Sequence, residues 1–205
     1  MGHPHARSPV AAAALPAVLA VALVAGCGSS SPDPLASPAA AASVAPPSAT
    51  PVPHEVPDLE ARLPASIHGT RLAFRSFRGA SFLRTGSTAN QGALRGMLAD
   101  LDRSVDDLTL ALADDPSGSI EFIEGIFRVS GAPPGALEDA WIASQQAATQ
   151  HRLVKGSVAI GGLTVDKVTD AVAGGTTYIL PRGDSLVLII ATDPAIAAEA
   201  VSKVR

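Results

Sequence analysis

Alternation of apolar and polar residues predicts strands over much of the second part of the chain. Over residues 71–78, Leu72 and Phe74 fall on one face, while Arg71 and Arg75 fall on the other, as in a half-buried strand. Further strand patterns cover 108–113, 120–129, 153–160, 163–169, 176–182 and 185–191. The last of these runs, SLVLIIA, is apolar on both faces, so we expect it at the centre of a sheet.

Apolar residues at helical spacing predict two long helices and one at the C-terminal end. Thr88 and Gln91 have the spacing of a capping box, and an apolar stripe follows at Leu94, Met97, Leu98, Leu101 and Val105. The second helix follows the GAPPG segment at 131–135 and runs to about Thr149, and 58–63 predicts a short helical turn. The third begins at Asp193-Pro194, which suit the N-cap and first helical positions.

The order of these elements predicts an α+β fold. The strands come mostly as adjacent pairs, with helices after the first, the third and the last, which favours an antiparallel sheet with helices packed on one face. The opening order β-α-β-β-α-β is also that of a ferredoxin-like unit, here extended by a hairpin and a C-terminal helix.

The chain before residue 58 lacks these patterns and divides into two parts. A short segment with Arg7 precedes an apolar stretch over 9–25, and no Lys/Arg cluster follows it, which favours a signal peptide over a retained membrane helix. Residues 28–57 are rich in Pro, Ser and Ala, which is typical of a disordered linker, either glycosylated or unmodified. We therefore predict a signal peptide at 1–26, a tether at 27–57 and one domain at 58–205.

Cys27 is the only cysteine and follows Leu23-Val24-Ala25-Gly26. This stretch resembles the lipobox of bacterial lipoproteins. The resemblance implies cleavage between Gly26 and Cys27, diacylglycerol on the Cys27 sulfur, and acylation of the new amino terminus by a fatty acid such as palmitate. It therefore implies a protein anchored in the cell membrane on its extracytoplasmic face. The alternative is an ordinary secretory peptide, cleaved near Ala25, with a free cysteine.

The domain itself carries a second resemblance. Leu63-Pro64, Gly69, the Ser157-to-Lys167 hairpin, Thr169-Asp170, Tyr178 and Gly183-Asp184 are similar to a group of uncharacterised exported bacterial lipoproteins. These motifs are structural, so the resemblance implies a location and no activity.

Composition excludes several kinds of function. A formal net charge of −4 and 3% aromatic residues provide neither the basic surface nor the stacking platforms that nucleic-acid binding needs. A single cysteine allows no internal disulfide and no thiolate zinc site.

The candidate catalytic and metal-binding residues do not assemble into a motif. The acidic run lacks the D-x-D-x-D-G order and the closing glutamate of a calcium loop, so we expect solvated carboxylates at Asp100, Asp102, Asp106, Asp107, Asp114 and Asp115. His68 and His151 are isolated, without zinc-ligand spacing. Glu121 and Glu124 fall on opposite faces of a strand, which argues against a paired-carboxylate site. We predict no metal and no cofactor, and enzymatic activity is not favoured.

Two polar stretches could bind partners, and each has a structural alternative. Four arginines lie in a stretch without acids, and such a patch suits lipid phosphates, a wall polymer or an envelope protein: Arg71, Arg75, Arg78 and Arg84. The alternative is a solvated strand edge that discourages pairing between sheets. The tetrapeptide RGDS at 182–185 has the form of an integrin ligand, but Gly183-Asp184 also suits a two-residue hairpin turn, which we favour.

Together these features predict a lipid-anchored, non-catalytic binding or scaffold module of the cell envelope. The alternative is a small-ligand carrier or an envelope enzyme whose site assembles only in the fold. A filled core with a flat patch would favour the scaffold, whereas a deep pocket lined by His68, His151 or acidic residues would favour the alternative.

Overall fold

A computed structural model describes residues 52–204, so the predictions for the signal peptide, for Cys27 and for most of the tether lie outside the described residues. Within this range lie five α-helices: α1 (Pro57–Glu60), α2 (Gly79–Thr85), α3 (Thr88–Asp100), α4 (Pro134–Thr149) and α5 (Pro194–Lys203). The strands are β1 (Ser66–Ile67), β2 (Thr70–Arg71), β3 (Ala73–Arg78), β4 (Leu108–Asp114), β5 (Phe122–Val129), β6 (Leu153–Ile160), β7 (Leu163–Asp170), β8 (Thr176–Arg182) and β9 (Ser185–Ala191). A short 3-10 helix, Val105–Asp107, precedes β4.

Seven strands form one antiparallel sheet in the order β3-β4-β5-β9-β8-β7-β6, and β1 pairs only with β2. The α+β class and an antiparallel sheet with a layer of helices on one face are confirmed. The central position of β9 is confirmed as well, because β9 is the fourth of the seven strands and is buried on both faces.

The ferredoxin-like topology is wrong. In a split β-α-β unit, the strands on either side of a helix run parallel, which requires a crossover. Here β3 and β4 flank α2 and α3, yet they are direct antiparallel neighbours. The two helices therefore return the chain to the adjacent strand, and no crossover is made there.

The helix layer packs on the face of the sheet formed by alternate residues of the central strands. Leu110 of β4, Phe127 of β5 and Leu188 of β9 lie on this face, in one apolar cluster with Leu94 of α3 and Trp141 of α4. The two long helices also pack against each other. This packing places α3 and α4 as a roof over the middle strands.

The opposite face of the sheet is covered by α1, the β1–β2 hairpin and α5. Ala113 of β4 and Ile189 of β9 point to this side and cluster with Leu59, Ile67 and Ala197. Successive side chains of each central strand therefore belong to two separate cores, one on each face of the sheet, which explains why β9 is apolar throughout.

The folded part of the chain begins before the predicted boundary at Asp58. Pro53 and Glu55 exchange backbone hydrogen bonds with Ser76, so this segment lies along the outer edge of β3. Nδ1 of His54, in the predicted tether, donates a hydrogen bond to Oε1 of Glu60 at 3.0 Å. The segment covers an edge that would otherwise present unpaired backbone groups.

Two helix ends differ from their predictions in detail. The N-cap of α3 is Ser87, whose hydroxyl accepts from the backbone N–H of Asn90, and not Thr88. The helix ends at Asp100, because Asp102 adopts a positive φ of 53°. The start of α5 is as predicted, with the side chain of Asp193 accepting from the N–H of Ala195.

Candidate ligand cavity

An apolar cavity of about 330 Å³ lies between the helix layer and the sheet. Its floor comes from the sheet face described above, and its roof comes from α3 and α4. The apolar residues that line it are Phe77, Phe82, Ala93, Leu94, Leu110, Leu112, Ile123, Phe127, Trp141, Ala148 and Leu188. A volume of this size falls within the range of small-molecule sites, roughly 300–1,000 Å³.

The polar residues of the lining come from one end of the helix pair. They lie at the end of α2, at the start of α3, in the last two turns of α4 and just after it, and on β3: Thr85, Ser87, Asn90, Ser144, Gln145, Thr149, His151 and Arg75. The start of α3 and the end of α4 share this lining because the two helices run in opposite directions. The cavity therefore has an apolar interior with polar groups gathered toward one side.

Arg75 reaches the cavity because the side chains of β3 point alternately to the two faces of the sheet. Phe77, two residues further along the strand, lies on the same face and lines the same cavity. One terminal nitrogen of Arg75, Nη2, lies 3.3 Å from Oδ1 of Asp114, which is close enough for an ion pair. Nε of Arg75 is buried and has no hydrogen-bond partner among the described residues.

His151 follows the left-handed C-cap of α4, Gln150, which turns the chain from the helix toward β6. Its Nδ1 lies 2.8 Å from Oδ2 of Asp170, whose side chain is fully buried. Oδ1 of Asp170 accepts hydrogen bonds from the N–H groups of Val172 and Ala173, each at 2.8 Å. The carboxylate is thus held by the turn after β7, and it in turn orients the imidazole.

The balance of effects on Asp170 keeps the carboxylate ionised. Burial raises its pKa, but the hydrogen bonds from Ala173, His151 and Val172 more than offset this, so its pKa lies below the ordinary 3.8. His151 and Asp170 form an oriented pair of the kind that supports general-base chemistry when a nucleophile is adjacent.

The hydroxyl groups that line the cavity take part in local structure, and that of Ser87 accepts from the backbone N–H of Asn90. Three of those lining the cavity donate to backbone carbonyls of their own helices: Thr85 to Phe82, Ser144 to Trp141 and Thr149 to Gln145. Thr149 also accepts from the backbone N–H of His151. These bonds favour a site that holds a molecule over one that attacks it.

The predicted arginine patch is distributed over several surfaces. Arg71 and Arg78 are exposed on β2 and at the end of β3, Arg84 is exposed on α2, and Arg75 lines the cavity. The side chain of Glu55 accepts a hydrogen bond from the backbone N–H of Arg78. This bond and one from Ser81 are the main causes that hold the pKa of Glu55 below its ordinary value, and the charges of Arg84 and Arg78 lower the pKa further. Binding of an envelope protein, a wall polymer or a lipid at this patch stays a prediction.

The acidic run serves turns and pairs in the fold. Asp107 caps the 3-10 helix through Ser104, and Asp114 pairs with Arg75. Asp115 accepts from Ser117, Ser119 and the backbone of Ile120. Within residues 52–204, no group of three or more His, Cys, Asp and Glu side chains is placed to hold a metal ion.

The remaining candidates fall outside the cavity. His68 lies in the β1–β2 turn, where its N–H donates to Glu199. Gly183 and Asp184 form the two-residue turn of the β8–β9 hairpin, with a positive φ of 60° at Gly183, which confirms the interpretation of RGDS as a turn. Tyr178 is buried on the sheet face opposite the cavity.

Sequence reasoning named Arg75 and His151 as candidates, but it placed neither in this cavity and did not find the Asp170 partner of His151. Arg75 was assigned to a solvated patch, although the alternation that places it opposite Phe74 also places it beside Phe77 on the helix-covered face. The pairing of His151 with Asp170 depends on the β6–β7 register, which sets Leu153 opposite Asp170. The position of His151 two residues before Leu153 was the one sequence feature that could have indicated its closeness to Asp170.

No protein-family model matches the chain, and searches of curated proteins and of solved structures returned no match. None of the helices between residues 52 and 204 has the length and apolar character to cross a bilayer.

Proposed function

We propose that this protein is a lipid-anchored, non-catalytic binding protein of the cell envelope that holds a small, mainly apolar ligand between its helix layer and its sheet. The observation that carries the proposal is the apolar cavity of about 330 Å³ lined by α3, α4 and the middle strands. A void of this size that stayed empty would forfeit the packing contacts of its walls. A bound apolar molecule restores those contacts.

The side chains around the cavity support binding without chemistry. The hydroxyls of Thr85, Ser144 and Thr149 donate to the backbone, as described above, so they are not presented to His151 as nucleophiles. The sequence left open a scaffold module with a flat binding patch and a small-ligand carrier. The cavity lined by His151 favours the carrier.

Anchoring through Cys27 completes the proposal. A lipid on this residue would hold the domain at the membrane surface, where apolar molecules are concentrated and where a carrier for them is useful. The membrane is then a partner through the anchor, and the ligand is a partner through the cavity.

Native mass spectrometry of the full-length protein purified from membranes tests the ligand. We expect a bound small molecule that is lost in Ala148→Trp, since Ala148 lines the cavity and a bulky side chain there fills it. Ala147→Trp is the matched control, because Ala147 is exposed on the same helix and is not part of the lining. Equal ligand occupancy in both variants, or no ligand in the wild type and no binding on titration, would refute the proposal.

Intact mass of the same preparation tests the anchor. We expect the mass of a chain that begins at Cys27 and carries acyl chains, and we expect a Cys27→Ala variant to lose both the lipid and membrane association. A wild-type mass without lipid would contradict the anchoring.

A further inference from the structure

Two ionisable side chains line the cavity, Arg75 and His151, and no carboxylate is among the lining residues in the described part of the chain. The acidic partners of both, Asp114 and Asp170, lie outside the lining. The ionisable groups at the cavity wall are therefore nitrogen groups, and their acidic partners are set back from it.

Arg75 has donors left over after its ion pair. A guanidinium carries five N–H groups in a planar fork, and the bond to Asp114 through Nη2 is the one ion pair that Arg75 forms among the described residues. Its buried Nε has no hydrogen-bond partner there. The Nη groups that are not bound to Asp114 remain as donors for an acidic group of a ligand in the cavity.

His151 is the second ionisable group of the lining, and it lies across the sheet from Arg75, because its partner Asp170 belongs to β7 whereas Asp114 belongs to β4. Its Nδ1 is taken by Asp170, and this bond leaves Nε2 as the other hydrogen-bonding atom of the ring. Because Nδ1–H donates to the carboxylate, Nε2 of the neutral ring is a hydrogen-bond acceptor, so the acidic head of a ligand is assigned to Arg75 alone.

We infer that the ligand is an amphiphile with one acidic head group, a carboxylate or a phosphate. The head binds Arg75, and the hydrocarbon part lies against the apolar wall that includes Leu94, Phe127 and Trp141. This inference rests on the proposed function and adds to it the chemical class of the ligand.

Trp141 provides the signal for the test. It is the only tryptophan of the chain, it is 2% exposed, and it lines the cavity. Full-length protein freed of bound lipid is titrated, below micellar concentrations, with dodecanoate, dodecyl phosphate, dodecanol and dodecyltrimethylammonium, and tryptophan fluorescence is recorded. Acetate and inorganic phosphate serve as probes without a tail.

We expect one or both anionic amphiphiles to bind about tenfold or more tightly than dodecanol, which is the size expected for a hydrogen bond to a charged group. The cationic amphiphile should bind more weakly than dodecanol. Acetate and phosphate should not saturate the signal, because they lack the part that fills the cavity. The relative affinities of dodecanoate and dodecyl phosphate identify which acidic head is preferred.

Variants assign the preference to Arg75. Arg75→Gln should lower the affinity for the preferred anionic amphiphile by about tenfold and leave dodecanol unchanged. Arg78→Gln, on the exposed end of the same strand, should change neither affinity. Asp114→Asn removes the carboxylate that competes for Arg75, so it should leave anion binding unchanged or tighten it. This variant therefore distinguishes a loss of ligand binding by Arg75 from a loss of the Arg75–Asp114 ion pair. If Arg75→Gln does not fold, Asp114→Asn still tests the inference, because a loss of the preference for anionic amphiphiles in that variant would contradict it.

The outcomes separate the inference from the proposed function. If dodecanol binds as tightly as both anionic amphiphiles, or if Arg75→Gln leaves the preference intact, the acidic head is refuted while the apolar cavity stands. If Ala148→Trp binds anionic amphiphiles as the wild type does, binding occurs outside the cavity, and both are refuted. If no amphiphile binds, both are also refuted.

Discussion

Glu124 of β5 pairs in register with Ile189 of the central strand β9, so its carboxyl group lies within the apolar core on the sheet face opposite the cavity. The residue is 1% exposed, and its Oε2 has no hydrogen-bond partner among the described residues. Burial raises the pKa of Glu124 from 4.5 to about 8. The carboxyl group is therefore neutral at physiological pH, as a carboxyl group in such surroundings must be.

Glu124→Gln should stabilise the protein increasingly as the pH rises. Between pH 4.5 and about 8 the folded state holds a proton that the unfolded chain has released, so wild-type stability falls through this window. The glutamine variant lacks this dependence, and the difference should grow by about 1 kcal/mol per pH unit. Urea unfolding of both proteins at several pH values from 5 to 8 measures it.

The matched control is Glu121→Gln, at an exposed position three residues earlier. Its difference from the wild type should stay constant with pH. A Glu124→Gln difference that is equally flat would mean that the carboxyl group is ionised in the folded state, in conflict with its burial.

The burial of Glu124 also shows what the alternation of apolar and polar residues can predict and what it cannot. Alternation alone puts Glu121 and Glu124 on opposite faces of a strand, and it predicts the strand itself. It does not reveal that both faces of this sheet are covered, because that depends on where α1, α5 and the β1–β2 hairpin pack. A residue assigned to the polar side of a strand can therefore lie in a second core.

The candidate site depended on tertiary distances that no local pattern contains. The stripes of α3 and α4 predicted buried helices, and those helices are present and packed together. The gap that remains between them and the sheet follows from the sizes of facing side chains. The sequence pattern does not predict the short helix α2, because its seven residues, GASFLRT, are too few to show a helical period.

Gly79, the first residue of α2, should not tolerate a methyl group. A Cβ built there would overlap the carbonyl oxygen of Val105, which is backbone and cannot rotate away. We expect Gly79→Ala to cost about 1–3 kcal/mol of unfolding free energy through overpacking. Thermal unfolding followed by circular dichroism checks this prediction.

Gly92→Ala is the opposite case and serves as the control. Gly92 lies inside α3, and a Cβ there meets no atom within 4 Å. Because alanine favours helix over glycine, this change should stabilise the protein by about 0.5–1 kcal/mol. If both glycines respond alike, the close approach of Gly79 to Val105 is absent in solution.

Asp170→Ala should destabilise the turn after β7 and release His151. The change removes the acceptor for three hydrogen bonds, those from Val172, Ala173 and His151, and we expect a cost of about 1–3 kcal/mol near pH 7. Because the folded pKa of Asp170 lies below 3.8, its contribution is complete above that value and is lost as the pH falls through the folded pKa.

Urea unfolding of Asp170→Ala and the wild type at pH 7, 5 and 3 measures this contribution. The difference should be equal at the two higher values and smaller at the lowest. Asp106→Ala, at an exposed position in the 3-10 helix, is expected to change stability by less than about 0.5 kcal/mol. A cost for Asp170→Ala no larger than this would show that the turn does not depend on the carboxylate.

Lys155→Met should be far more costly than a matched lysine substitution elsewhere. Nζ of Lys155 lies 2.8 Å from Oε1 of Glu138, and that glutamate side chain is only 4% exposed. Burial raises the pKa of Glu138, whereas the hydrogen bond and charge of Lys155 act in the opposite direction. Removing the lysine leaves a buried carboxyl group without its cation, and we expect a loss of about 1–3 kcal/mol at pH 7.

Lys203 isolates the effect of the buried partner. Its side chain is 40% exposed against 43% for Lys155, but its partner Glu199 is 30% exposed. Lys203→Met should therefore cost less than about 1 kcal/mol, as for a surface pair. Adding Glu138→Gln to Lys155→Met should recover part of the loss, because the amide removes the uncompensated charge, and a double-mutant cycle measures this coupling. Equal costs for the two lysines, with no recovery, would mean that Glu138 is solvated in the folded protein and that the lysine does not neutralise it.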